Sequence, residues 1–234
     1  MVTATYARNE SPARADAPTN DLFGGSGAPD AMTETMAPGA MLLRGRALPV
    51  ESEVLQAIDG IVATAPFRQM VTPGGYTMSA AMTNCGDVGW VTDRSGYRYD
   101  AKDPVSGLPW PRMPDVFCQL AAAAAAEAGY PDFEPDGCLI NCYRPGARLS
   151  LHQDRDERDY AQPIVSVSLG LPATFQFGGP KRRDPVQKYV LRHADIAVWG
   201  GPSRLWHHGI LALKDGEHPK LGRMRINLTF RRAR

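Results

Sequence analysis

The sequence predicts a mainly β chain of barrel or jelly-roll type, and three observations carry that expectation. After Pro135 the chain breaks into short apolar/polar alternating runs separated by Pro-Gly, Gly-Gly and Gly-Pro turns. Only two segments show helical spacing, and both precede the strand-rich part. With 234 residues, 43% of them hydrophobic, the chain can bury one substantial core, and a single domain of this length is ordinary for β architectures.

The elements follow in order. Segment 1–40 has many Pro, Gly, Ala, Ser and Thr residues, little periodicity and two arginines against five acids, so it is expected to be a mostly disordered leader. It lacks the uninterrupted apolar stretch of a secretory signal, and no segment is long and apolar enough to span a bilayer. Residues 51–64 place Val54, Leu55, Ile58, Ile61 and Val62 at helical spacing after Pro49. Residues 66–112, rich in Gly, Pro, Thr, Tyr and Trp, read as hairpins and long loops. A second helix is expected over 114–128, with Pro114 in its first turn and Gly129 as its stop. Strands are expected at 138–143, 148–152, 163–171, 173–178, 187–191, 195–199 and 224–231, with the helices bracing one sheet from outside.

A formal net charge of +1 points to no partner by itself. Cys85, Cys118, Cys138 and Cys142 form no CxxC pair, and a chain of this size needs no disulfide staples, so buried reduced thiols in a cytoplasmic protein are expected. Cys138 and Cys142 resemble half of a zinc site, but no second pair follows.

The chemistry is concentrated in His152-Gln153-Asp154. In an extended segment residues two apart share a face, so His152 and Asp154 point together and Gln153 turns away. A third ligand has to come from elsewhere, and periodicity alone does not choose between His207 and His208. Two imidazoles and a carboxylate leave a divalent iron with open positions. The same set also serves catalytic zinc, and an isolated H-x-D triplet is more often a surface hydrogen-bonded pair.

Zinc does not explain the strand at 224–231. There Met224, Ile226, Leu228 and Phe230 fall on one face, and Arg225, Asn227, Thr229 and Arg231 on the other. A half-buried strand with a solvated polar face is the plain alternative. Late in a barrel, however, a polar face can also line a water-accessible pocket, and Asn141 and Tyr143 repeat the pattern on a shared face. Two guanidinium groups with an amide and a phenol suit the carboxylates of a small dianion. An iron site beside an oxo-acid site points to oxygen activation coupled to decarboxylation of 2-oxoglutarate.

From about Asp21 to Arg232 the sequence resembles the AlkB family of iron- and 2-oxoglutarate-dependent nucleic-acid demethylases. The resemblance rests on long blocks: Phe67 to Met78, Met82-Thr83-Asn84-Cys85-Gly86, Gly89-Trp90, Leu139-Ile140-Asn141, Leu149 to Asp154, Pro163 to Pro172, Phe175 to Gly179, Val198 to Gly201, His208-Gly209-Ile210 and Asn227 to Arg231. It implies a double-stranded β-helix (jelly roll) core over 135–232, within a single domain 21–234 behind a leader 1–20. The helices would brace the core, and a flexible nucleotide-recognition lid would cover 66–100. It implies Fe(2+) on His152, Asp154 and His208, and 2-oxoglutarate on Arg225 and Arg231 with Asn141, Tyr143, Leu149 and Asn227 alongside. Substrate contacts are implied for Thr72, Met82, Trp90, Tyr97, Tyr99, Asp156 and Arg182, with the damaged base between Trp90 and His152. Cys142 replaces a larger polar residue of the family pattern.

The implied reaction uses O2 and 2-oxoglutarate to hydroxylate a methyl group on a base nitrogen, which then leaves as formaldehyde. The expected substrates are 1-methyladenine and 3-methylcytosine in DNA, preferably single-stranded, with double-stranded DNA and RNA left open. These lesions are cationic and do not pair, which lowers the cost of extruding them. Asp156 and the faces of Trp90 and Tyr97 suit a cation. Lys181-Arg182-Arg183 and the five arginines of 223–234 supply positive charge, although a basic loop is usually just solvated. A cytoplasmic monomer without membrane contact is expected. The competing expectation is a 2-oxoglutarate oxygenase acting on RNA or on a protein side chain.

Overall fold

The computed structural model describes residues 32–234. In chain order its elements are β1 (Thr33–Ala37), β2 (Ala40–Leu43), α1 (Glu51–Thr64), β3 (Arg68–Val71), β4 (Thr77–Gly86), β5 (Gly89–Asp93), β6 (Gly96–Asp100), α2 (Asp115–Glu127), β7 (Gly137–Tyr143), β8 (Leu149–His152), β9 (Ile164–Gly170), β10 (Ala173–Phe177), β11 (Gln187–Leu191), β12 (Ile196–Trp199), β13 (His208–Ile210) and β14 (Arg225–Arg231). They form an eight-stranded sheet in the order β1-β2-β12-β9-β14-β7-β4-β3, a four-stranded sheet in the order β11-β10-β13-β8, and the separate hairpin β5-β6. The pairings are antiparallel. This is a double-sheet jelly-roll arrangement.

Burial explains why the central strands alternate so cleanly. In β9 and β14 every residue is buried, yet only one face is apolar. Val165, Val167, Leu169, Ile226, Leu228 and Phe230 pack against Val54, Ile58 and Ile61 of α1 and Phe117 of α2 in one cluster. Ser166, Ser168, Arg225, Asn227 and Arg231 lie on the opposite face of the same strands, inside the molecule. The polar stripe therefore faces the interior of the protein instead of solvent. Leu228 is fully buried at the centre of the apolar face, so Leu228→Ala is expected to cost about 2–5 kcal/mol. A urea unfolding midpoint reads that loss, and a change below about 1 kcal/mol would contradict this packing.

Three expectations change. Residues 33–40 are not part of a disordered leader: β1 and β2 form a hairpin that extends the large sheet, burying Met36, Ala40, Leu42 and Leu43. Its turn needs Gly39, at φ +75, where a Cβ would meet the Gly200 carbonyl oxygen at 2.6 Å. Pro114 is extended (φ −62, ψ 145) and caps α2 from outside its first turn. The strand β13 was not expected, because three residues carry too little periodicity to read. The leader over 1–20, with the rest of 1–31, lies outside the described residues. No helix among the described residues is long and apolar enough to cross a membrane. Cys85, Cys138 and Cys142 are buried and Cys118 half-buried, all as free thiols.

Candidate active site

Two separate pieces of chain deliver the metal ligands. His152 ends β8 and Asp154 follows it in the irregular segment beyond, while His208 opens β13, paired directly across from His152. Gly209 allows that pairing to close, since a Cβ there would sit 2.6 Å from the Leu149 carbonyl oxygen. Gln153 points away and donates to the carbonyls of Leu205 and Pro180.

The donor atoms of His152, Asp154 and His208 all lie within 4.8 Å of one another. Each imidazole sets its Nδ1 against a backbone carbonyl, His152 on Ser150 at 2.9 Å and His208 on Trp206 at 3.0 Å. That fixes the proton on Nδ1 and leaves the Nε2 lone pairs free. Both Nε2 atoms face the same carboxylate, at 3.4 Å from Oδ1 and 3.7 Å from Oδ2. Burial and the neighbouring His152 push the His208 pKa down to about 3, so it stays neutral. Burial works against the Asp154 carboxylate, yet Arg231, then the two histidines, hold it well below the usual carboxylate range. At His152 burial lowers the pKa but the Asp154 carboxylate outweighs it, a net upward shift. Two imidazoles and an ionised carboxylate converging on one point are the donor set of a divalent iron with open positions. The residues fit the metal.

The two arginines of β14 differ sharply. Arg231 donates to Asp154 Oδ2 from Nη2 at 2.8 Å and from Nε at 3.2 Å, and its Nε lies 3.2 Å from Glu157. Arg225 is 1% exposed and has no carboxylate partner among the described residues. It gives one hydrogen bond, Nη2 to Ser168 Oγ at 3.0 Å, and lies over the Tyr143 ring at 5.2 Å. Its Nε and Nη1 are sealed from solvent without a partner, and burial pushes its pKa down. An orphaned buried guanidinium is costly unless an anion completes it. A carboxylate of 2-oxoglutarate meets that need, so this group fits as well. Asn227 and Asn141 face each other across β14 and β7, and Met82 of β4 is Asn141's other neighbour. Leu149, half-buried at the start of β8, packs on the apolar cluster between the sheets.

The β5-β6 hairpin is tied to the site through Glu157, which joins its Tyr99 to Arg231. Trp90 stacks on Tyr97 at 5.7 Å between ring centroids and donates Nε1–H to Asp156 at 2.7 Å. Tyr99 donates its hydroxyl to Glu157 at 2.6 Å. These expected residues are thus brought to one side of the site. Thr72 Oγ1 accepts the Tyr76 amide, a local contact, whereas Arg182 donates to the carbonyl of Leu151, the residue before His152 in β8.

Sequence reasoning missed two residues that organise this region. Glu157, 5% exposed, takes Tyr99, Arg204 and Arg231 together, coupling the hairpin to the arginine on the metal ligand. Asn84 clamps Trp90, accepting from its amide and donating to its carbonyl, both at 3.0 Å. Nothing local in the sequence separates Glu157 from the exposed acids around it.

The class that the fold and the site define is matched by sequence. Residues 39–231 fit the profile of the 2OG-Fe(II) oxygenase superfamily. The chain is 58% identical over 200 residues to the alpha-ketoglutarate-dependent dioxygenase AlkB of Salmonella typhimurium and to that of Escherichia coli, spanning 86% of this chain and 93% of each relative. A solved structure of OsALKBH1 superposes with a TM-score of 0.76 at 27% identity, covering 86% of this chain and all of that one. The chain belongs to the AlkB family. It is an Fe(II)- and 2-oxoglutarate-dependent dioxygenase.

Proposed function

We propose that this dioxygenase demethylates 1-methyladenine and 3-methylcytosine in DNA, preferring single strands. Oxidative reversal of DNA alkylation is the activity to which its AlkB relatives point. The observation that carries the reading is the pairing of a converging His152-Asp154-His208 donor set with the orphaned Arg225 guanidinium, which lies on the same buried polar face of β14 as the Arg231 that holds Asp154.

Iron held there would, with 2-oxoglutarate and O2, supply the oxidising power for hydroxylating the N-methyl carbon, from which formaldehyde would leave with an N–H restored on the base. The chain's residues do the rest. His152, Asp154 and His208 hold the metal. Arg225 takes one carboxylate of the co-substrate, and Arg231 orients Asp154 while sharing the second. Asn141, Tyr143, Leu149 and Asn227 shape the walls around it. Trp90 and His152 enclose the base, with Asp156, Tyr97 and Tyr99 facing it. A cationic lesion suits this setting, because Asp156 compensates the charge and the aromatic faces attract it. Release of Asp156 from Trp90 Nε1 would free the carboxylate for the base edge. Thr72, Met82 and Arg182 flank the strand, and residues 66–100 act as the lid. A cytoplasmic monomer is the setting proposed for this activity.

Single strands are favoured because the exposed Tyr97 offers an unpaired base a stacking surface. Initial rates on matched single- and double-stranded oligomers carrying the same lesion test this; equal rates would remove the strand preference. An RNA oligomer of the same sequence decides whether RNA competes.

A further inference from the structure

A cavity of about 350 Å³ lies behind the β5-β6 hairpin, walled by Tyr97, Arg98, Tyr99, Asp156, Arg158 and Arg234. Tyr97 and Asp156 also border the site proposed for the base, so the cavity continues from it. Its charges do not cancel. Arg98 is already paired with Asp93 at 2.9 Å and Asp100 at 3.6 Å. Asp156 accepts from Trp90. Arg158 and Arg234 have no carboxylate partner for their side chains among the described residues; Arg234 spends Nη2 on the Asp87 carbonyl at 2.8 Å. The Arg158 amide donates to the Ala233 carbonyl at 3.2 Å, which ties the two segments together on one wall.

We propose that Arg158 and Arg234 form a seat for a backbone phosphate flanking the extruded base. This rests on the nucleic-acid reading above. Two arginines on a solvated convex surface would carry no such meaning. Here they line a concavity together with Tyr97, Tyr99 and Asp156, residues that also border the site proposed for the base, where a polyanionic strand has to pass. Guanidinium groups hold phosphate oxygens in paired, charge-assisted hydrogen bonds. The cavity is at the lower end of the size range for ligand pockets, which suits a phosphate with part of its sugar.

The test compares wild type with an Arg158→Gln/Arg234→Gln double variant on short single-stranded oligomers bearing 1-methyladenine. Each flanking linkage is replaced in turn by a neutral methylphosphonate. The variant is expected to raise KM roughly 10-fold with kcat and melting temperature unchanged. The slope of log KM against log salt should become shallower by about 0.7 for each phosphate that the variant no longer neutralises. One methylphosphonate position should weaken wild type by the same factor and have no further effect in the variant. An unchanged KM, or methylphosphonate losses equal in both proteins at every linkage, overturns the seat. If wild type demethylates none of the oligomers, the nucleic-acid reading fails instead. Equilibrium binding of the same oligomers, read by fluorescence anisotropy, still reports the seat through the same comparison.

Discussion

Arg225→Met is expected to raise the 2-oxoglutarate requirement by roughly 30-fold or more while leaving the metal-free protein at least as stable as wild type. Removing one partner of a buried, hydrogen-bonded charge pair costs about 2–5 kcal/mol of binding, which sets the lower bound. The stability half follows from the state of Arg225 without co-substrate. It is a fully buried cation with one hydroxyl partner, two orphaned donors and a depressed pKa. Replacing such a charge by an apolar side chain of similar length is often neutral or stabilising. Succinate formation against 2-oxoglutarate concentration gives the KM, and thermal unfolding with and without 2-oxoglutarate gives the stability. Saturating co-substrate at about 100 times the wild-type Kd should stabilise wild type by about 2.7 kcal/mol and the variant by about 0.9 kcal/mol or less at that concentration. A variant that unfolds early with an unchanged KM would make Arg225 a structural residue.

Asp154→Ala is expected to reduce turnover to background and to abolish tight binding of a divalent metal. Asp154 is the one carboxylate on which both Nε2 atoms converge, so its loss leaves two imidazoles as the only protein ligands. The same change leaves Arg231 with Glu157 alone. Breaking a buried ion pair costs about 3–5 kcal/mol when the survivor has no partner; with Glu157 retained, the loss should fall near the bottom of that range. Cobalt(II) titration followed by visible absorption separates the two effects. Tight binding or near wild-type turnover in the variant would remove Asp154 from the metal site.

The central strands were legible because they are sandwiched. Residues of β7, β9 and β14 alternate between a helix-packed apolar face and a polar interior face, so their ends fall within about one residue of the periodicity. Both helices were equally plain. The β1-β2 hairpin was hidden by its Gly- and Pro-rich neighbourhood, and β13 is shorter than any usable period. At the site, the resemblance carried the choice of His208 over His207. The structure puts His208 against Asp154, while His207 sets Nδ1 on the Gly179 carbonyl. What no pattern in the sequence distinguishes is Arg225 from Arg231. They stand six apart on one face, yet one is held by Asp154 and Glu157 and the other has unanswered donors. That difference depends on Glu157 and Ser168, which reach the strand from elsewhere in the chain.

The most direct measurement is mass spectrometry of a single-stranded DNA oligomer carrying one 1-methyladenine, incubated with the protein, iron(II), 2-oxoglutarate and ascorbate. The oligomer should lose the mass of one methylene equivalent, only when both iron and 2-oxoglutarate are present. An unchanged oligomer alongside accumulating succinate would mean a live oxygenase whose substrate is not this lesion, and would contradict the reading of the site as a DNA demethylase.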